Sequence, residues 1–86
     1  MDNRRIAREL TRLARYLTDR KASLYRARAY RRAAETVLDL DEPVEAIVAC
    51  RGRKGLEELP GIGRGISETI ESLLRHSSSG GGGLGN

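Results

Sequence analysis

With 86 residues and a formal net charge of +4, the chain is long enough for one small domain. A single cysteine excludes an intrachain disulfide, and no apolar run approaches the roughly 20 residues that a bilayer crossing requires. The first residues lack the apolar core of a signal peptide, so we expect a soluble, intracellular protein with no membrane partner.

The basic residues are concentrated in the first part of the chain. Residues 1–32 hold eleven of the sixteen Lys and Arg residues but only three of the twelve Asp and Glu residues. Fourteen of the sixteen are arginine, whose planar guanidinium can bind a phosphate through two parallel hydrogen bonds. Clustered basic residues indicate a face for a polyanion, although arginine stems can also simply solubilise a helix surface.

Apolar residues recur at helical spacing in the same part of the chain. They predict a first helix at about residues 3–17, with Asn3 as its N-cap, and a second helix at about residues 24–38, with Ser23 as its N-cap. A polar connection at residues 18–22 separates the two helices. Alanines in the second apolar stripe indicate that the helices approach each other closely.

The second predicted helix also carries a basic ridge beside its apolar stripe. Its arginines are Arg26, Arg28, Arg31 and Arg32. Tyr25 and Tyr30 could stack on a nucleobase or a sugar. Tyr30 lies on the apolar stripe, where an aromatic ring at the rim of the core is the competing interpretation.

A short helix and a basic loop are predicted next. Pro43 suits the first turn of a helix, so residues 43–50 are expected to be helical. Residues 51–55 are expected to form a loop, in which Arg53 and Lys54 can approach a phosphate backbone.

The segment Leu59-Pro60-Gly61-Ile62-Gly63, called the hairpin below, lies between a short helical run at residues 55–58 and a clearer predicted helix at residues 64–75. Pro60 ends the helical run. Both hairpin glycines can take positive φ, and the isoleucine between them is expected to point inward. Free N–H groups at the start of the next helix, together with Arg64, predict an anion site, and a nucleic-acid phosphate is its natural ligand. The alternative is a glycine-rich turn between two packed helices.

No alternating strand pattern occurs, so the fold class is predicted to be all-α, a compact bundle of four to five short helices. This domain would comprise residues 1–76. Residues 77–86 are rich in serine and glycine and are predicted to form a flexible tail, or a linker to other domains of a longer parent chain.

The hairpin resembles that of helix-hairpin-helix domains, whose pattern is apolar-Pro-Gly-apolar-Gly followed by a helix. Upstream lies a second stretch, LYRARAYRRAA at residues 24–34. Together, this stretch and the hairpin are similar to the N-terminal domain of family X DNA polymerases. The similarity is greater to the bacterial and archaeal branch than to animal DNA polymerase beta. The resemblance covers about residues 3–75 and implies a bundle with one helix-hairpin-helix motif. Such a domain grips the DNA backbone downstream of a gap, largely without reading sequence.

The resemblance also implies an ion at the hairpin. In that family the hairpin binds a monovalent cation through main-chain carbonyls, which by position would be those of Glu57, Leu59 and Ile62. A Na⁺ or K⁺ ion could therefore bind here, and no required cofactor is implied.

Some family members excise a 5′-deoxyribose phosphate through a Schiff base, which requires a lysine amine with a depressed pKa. The nucleophilic lysine of the family corresponds to Thr69, and two supporting lysines correspond to Gly65 and to the vicinity of Glu57. Arg26 and Tyr30 match positions that line the same pocket, but every lysine of the motif is missing. We therefore expect no enzymatic activity.

These observations lead to one hypothesis and two alternatives. The chain is expected to bind DNA non-specifically through the phosphate backbone and to act in DNA repair. We expect it in the cytoplasm, on the nucleoid in a prokaryote, with gapped, nicked or single-stranded DNA as candidate partners. The predicted DNA-binding residues are Arg26, Arg28, Tyr30, Arg31, Arg32, Arg53, Lys54, Gly61, Ile62, Gly63, Arg64 and Gly65. The alternatives are a lyase that uses Lys54 or Lys21 as a displaced nucleophile, and a module that binds an acidic protein.

Overall fold

The computed structural model describes residues 1–21 and 23–83, with side chains described through residue 76. Within these residues the fold consists of helices without a strand, which confirms the predicted all-α bundle. The helices are α1 (Asn3–Asp19), α2 (Leu24–Asp39), α3 (Val44–Glu57) and α4 (Arg64–Gly83).

The core contains apolar residues from every helix and from the hairpin. Ile6 and Leu10 of α1, Leu56 of α3 and Ile70 of α4 are fully buried. Buried alanines of α2 let the backbones of α1 and α2 approach each other, as the small residues predict. Burial of a large aliphatic side chain contributes about 1.5–3 kcal/mol, and Ile62, buried in the same cluster, holds the hairpin on the bundle.

The predicted N-cap of the first helix is wrong by one residue, because the side chain of Asn3 makes its hydrogen bonds elsewhere. Asp2 caps α1, since its side chain accepts a hydrogen bond of 2.9 Å from the Arg5 amide. The Asn3 side chain instead reaches across to the start of α3. Its Oδ1 accepts from the Val44 amide at 2.8 Å, and its Nδ2 donates to the Glu42 carbonyl at 2.9 Å. Asn3 thereby links two helix N-termini, while Ser23 caps α2 as predicted.

The predicted short helix and the helical run before the hairpin are two segments of α3 with a kink between them, so the loop predicted at residues 51–55 is reduced to that kink. Only Gly52 inside α3 departs from helical geometry, with φ 67° and ψ −163°. This conformation is accessible essentially to glycine alone. One glycine is therefore enough to kink the chain, and helical turns resume after it. Arg53 and Lys54 consequently project from a helix that leads into the hairpin.

Helix α4 continues to Gly83, whereas the composition predicts an end at residue 75. Once a helix is formed, each added residue gains a hydrogen bond, so serine and glycine need not end it at their first occurrence. Residues 84–86 lie outside the described residues. The role of residues 77–86 as a tail or linker stays a prediction.

Among the described helices, none combines the length and the apolar composition that a membrane crossing requires.

Candidate nucleic-acid interface

The hairpin is a tight turn whose apolar residue is anchored in the core. The Ile62 amide donates to the Leu59 carbonyl at 3.1 Å, and the Ile62 side chain is only 3 % exposed. Gly61, which follows Pro60, has φ 75°. The predictions of a left-handed glycine and of an inward isoleucine are thus confirmed. Ile62 itself offers neither its side chain nor its amide to a ligand.

Exposed backbone N–H groups lie directly after this turn. The first helical bond of α4 runs from the Ser67 amide to the Gly63 carbonyl at 2.9 Å. Within the described part of the chain, the amides of Gly63, Arg64, Gly65 and Ile66 donate no hydrogen bond to a backbone carbonyl. Because Gly63 and Gly65 have no side chain, these donors and the positive end of the helix dipole are open to an anion.

The prediction that Gly63 takes positive φ is wrong. Among the described glycines only Gly52 and Gly61 have positive φ, and a Cβ added at Gly63 would meet no atom within 4 Å. Gly63 immediately precedes α4 and occupies its N-cap position, which does not require a left-handed backbone. The absence of a side chain at Gly63 therefore matters for access to the amides and not for the conformation of the turn.

Helix α2 is fastened to the hairpin by side chains one helical turn apart. The Thr36 hydroxyl donates to the Pro60 carbonyl at 2.7 Å. The Arg32 side chain packs on Gly61, where a Cβ would lie 2.8 Å from its Cδ and Nε atoms. The positive φ of Gly61 favours glycine, and an added Cβ would in addition require the Arg32 side chain to shift. This contact brings the basic ridge of α2 next to the free amides.

The α2 residues Arg26 and Tyr30 lie beside the start of α4. An Arg26 Nη2 donates to the Tyr30 hydroxyl at 3.5 Å, and the same hydroxyl is 3.3 Å from Thr69 Oγ1. Together with Ala29, Gly65 and Ile66, Arg26 and Tyr30 line a small cavity of about 70 Å³. Tyr30 is only 7 % exposed, so the interpretation as a core-rim residue holds and the ring is closed to stacking.

The outer face of α2 carries an exposed aromatic ring among arginines. The Tyr25 side chain is 84 % exposed. With Arg28, Arg31 and Arg32 it lines an open groove of about 540 Å³, which also includes Glu35. Of the aromatic rings on α2, Tyr25 is therefore the one available to stack on an unpaired base, as base–aromatic contacts require.

The basic residues next to the hairpin are paired with carboxylates. Arg53 lies 3.5 Å from a Glu57 oxygen and 3.3 Å from a Glu68 oxygen, and Arg64 Nε is 3.7 Å from Glu68. Lys54 is exposed. Exposed ion pairs of this kind contribute little energy, so a phosphate can compete for these arginines. The Arg64 side chain is 80 % exposed although it pairs with Glu68.

The three carbonyls that the resemblance assigns to a cation differ in whether they already accept a backbone hydrogen bond. The Leu59 carbonyl accepts from Ile62, whereas the carbonyls of Glu57 and Ile62 accept no backbone N–H in the described ranges. Carbonyl oxygens can replace the hydration shell of a monovalent cation, so the donor set suits Na⁺ or K⁺.

The structure brings most of the predicted residues to two adjoining areas. One area is the hairpin with its Gly61 and Gly63, the residues Arg64 and Gly65 that follow it, and Arg26 and Arg32 of α2 beside it. The other area is the outer face of α2, with Arg28 and Arg31. No sequence pattern predicts that Thr36 donates to the Pro60 carbonyl or that Arg32 packs on Gly61. Both contacts join residues far apart in the chain, and only the packing angle of α2 creates them.

Comparisons with known proteins identify the family of the chain. A family model described as a helix-hairpin-helix domain matches residues 1–79. A search of curated proteins and a search of solved structures found no match. The matched range contains the hairpin, the free amides of α4 and the arginines of α2.

Proposed function

We propose, because the chain belongs to the helix-hairpin-helix domain family, that it binds DNA through the phosphate backbone at its hairpin. Domains of this family generally bind DNA without sequence specificity. The observation that carries the proposal is the set of free, exposed amides at the start of α4, next to the Arg32 and Arg64 side chains. Amides at a helix N-terminus bind phosphates, and phosphates carry no sequence information directly.

A finer proposal concerns the biological context. The chain would act in DNA repair as a module like the N-terminal domain of family X polymerases, bound to gapped, nicked or single-stranded DNA. The contact of Tyr30 with Thr69 supports this, since it joins residues that the resemblance assigns to one pocket. The exposed Tyr25 ring favours DNA with unpaired bases. The carbonyls of Glu57, Leu59 and Ile62 would hold a Na⁺ or K⁺ ion that keeps the hairpin in shape. Other domains of a longer parent chain would supply catalysis.

The module is proposed to have no lyase activity. Thr69, which stands where the resemblance places the nucleophile, has a hydroxyl that donates to the Gly65 carbonyl at 3.1 Å. A hydroxyl cannot form an imine. The lysines of the described chain, Lys21 and Lys54, are exposed and lie outside the cavity that Arg26 and Tyr30 line.

We therefore expect borohydride treatment of the protein with incised abasic DNA to yield no covalent adduct, because no amine lies at the site where the sugar would bind. The measurement is reductive trapping followed by electrophoresis, with Thr69→Lys as a matched variant that restores an amine at that position. An adduct of the wild type that maps to Lys54 or Lys21 would favour the displaced-nucleophile alternative.

Binding is expected to be strongly dependent on salt, because each phosphate contact releases counterions. A domain of this size could contact about three to five phosphates, so log K should fall with log salt at a slope of roughly −3 to −4. Arg64→Ala should reduce the magnitude of the slope by about one and weaken all duplexes alike. The fold should persist, since Arg53 still pairs with Glu68.

The measurement is fluorescence anisotropy on two unrelated duplexes across a salt series. Arg75→Ala is the matched control, because Arg75 is exposed on the same helix but far from the hairpin. A slope near zero would contradict backbone binding. So would a preference of more than about tenfold for one duplex, which corresponds to about 1.4 kcal/mol. Binding to an acidic protein but not to DNA would favour the protein-interaction alternative.

A further inference from the structure

A row of arginines runs along α1, outside the interface described above. Arg4, Arg8 and Arg15 follow each other at spacings of four and seven residues, so they lie on one flank of the helix. All are exposed. With Thr11 and Arg12 of the same helix and Leu38 of α2, they line an open groove of about 330 Å³. This row is called the α1 row below.

Acidic neighbours offset the charge of the α1 row only in part: Arg15 borders a neighbouring groove with Glu9 and Asp19, but none of the three arginines forms an ion pair with a described residue. No carboxylate in the described part of the chain lies within 4.0 Å of a guanidinium nitrogen of Arg4, Arg8 or Arg15. By contrast, Arg12 pairs with Glu9 at 3.2 Å, and Arg53 beside the hairpin pairs with glutamates. Among the described residues, the arginines of the α1 row are therefore free of ion pairs, unlike Arg53 and Arg64 beside the hairpin.

The α1 row is connected to the hairpin by the arginines of α2. Arg31 of α2 reaches α1, where it donates to Thr18 Oγ1 at 3.4 Å. Arg31 also shares the outer groove of α2 with Arg28 and Arg32, and Arg32 packs on Gly61. Basic side chains thus extend from the hairpin across α2 to Thr18 of α1, which lies one helical turn beyond Arg15.

Acidic residues lie at the Arg4 end of the α1 row. Arg4 also borders a shallow groove with Asp2, Asp41 and Glu42. These carboxylates repel a polyanion, so the basic surface ends at the N-terminus of α1. The basic surface therefore runs from the hairpin to Arg4 and ends there.

The length of the α1 row suits a nucleic-acid backbone. Arg4 and Arg15 are separated by about 16 Å along the helix axis at 1.5 Å per residue. The same distance corresponds to about five steps of one DNA strand at 3.4 Å each. A single phosphate ion or a nucleotide could not contact both ends of the row, whereas a continuous backbone could.

We propose that the α1 row is a second phosphate-binding surface, which extends the DNA track from the hairpin over α2 onto α1. The proposal rests on the proposed DNA binding of the hairpin. DNA is favoured over an acidic protein because the row is continuous with the hairpin interface through Arg31 and Arg32. The DNA bound by this domain is then longer than the hairpin alone could cover.

The test compares two double variants that lose the same charge. Arg8→Gln with Arg15→Gln removes the centre of the α1 row, while Arg5→Gln with Arg75→Gln removes exposed arginines elsewhere. Glutamine keeps a good helix propensity. On a duplex of about 20 base pairs, long enough to follow the whole track at 3.4 Å per step, we expect the first variant to lose about two from the magnitude of the salt slope. The control variant should keep the slope of the wild type.

A variant that keeps the positive charge provides a second comparison of salt slopes. Arg8→Lys with Arg15→Lys should restore the slope, because lysine also neutralises a phosphate. Equal slopes for the row variant and the control variant would overturn the proposal while the wild type still bound DNA, so the hairpin function would stand. If the double glutamine variant lost its fold, seen by circular dichroism, the single variant Arg8→Gln would take its place, with an expected loss of about one from the magnitude of the slope. An unchanged slope for a folded Arg8→Gln variant would then overturn the proposal. A wild type that bound no DNA would overturn both.

Discussion

Gly61→Ala is expected to destabilise the protein by about 1–2 kcal/mol, whereas Gly63→Ala is expected to leave the free energy of unfolding almost unchanged. Gly61 has φ 75°, and a left-handed backbone costs a residue with a Cβ about that amount. The added Cβ would also lie 2.8 Å from the Arg32 side chain, so the arginine must move. At Gly63 neither condition applies.

The two variants therefore separate the conformation of the hairpin from the access to its amides. Each kcal/mol should lower Tm by about 4–8 °C in a domain of this size, so thermal unfolding resolves the difference. Gly61→Ala should also weaken DNA binding in the folded state, because the displaced Arg32 leaves the hairpin. Equal Tm values for the two variants would show that Gly61 is not held in the left-handed conformation.

The fold class could be predicted from the sequence because it depends on local signals. The apolar periodicity of residues 3–17 and 24–38 and the capping residue Ser23 are read from neighbours within one or two turns. The inward side chain of Ile62 and the positive φ of Gly61 likewise follow from the order Pro-Gly-apolar-Gly. These features require no knowledge of tertiary contacts.

The features that could not be predicted arise from contacts distant in sequence. Asn3 is a good N-cap residue, but the Val44 amide and the Glu42 carbonyl compete for its side chain, and Asp2 takes its place at α1. The packing of Arg32 against Gly61 is visible only when α2 is placed on the hairpin.

Gly63→Asp is expected to weaken DNA binding by about tenfold to a hundredfold while it leaves the fold intact or slightly more stable. Aspartate is among the best N-cap residues, and the position has room for a side chain because no atom lies within 4 Å of the added Cβ. The carboxylate would accept hydrogen bonds from the amides of Gly65 or Ile66 and would repel a phosphate. Hydrogen bonds to a charged group are worth about 1.5–3 kcal/mol, which gives the expected range.

Gly63→Asn is the matched control, because asparagine caps a helix equally well and occupies the same amides without a charge. If a phosphate binds at the start of α4, the affinity should fall in the order Gly63→Ala, Gly63→Asn, Gly63→Asp. The excess loss for aspartate should shrink as salt screens its repulsion from the backbone. Affinities are measured by anisotropy at several salt concentrations, with Tm as the check on folding. If aspartate and asparagine weakened binding equally, no phosphate charge would lie near Gly63. If neither weakened it, the N-terminus of α4 would lie outside the interface, and the arginines of α2 and α1 alone would hold the DNA.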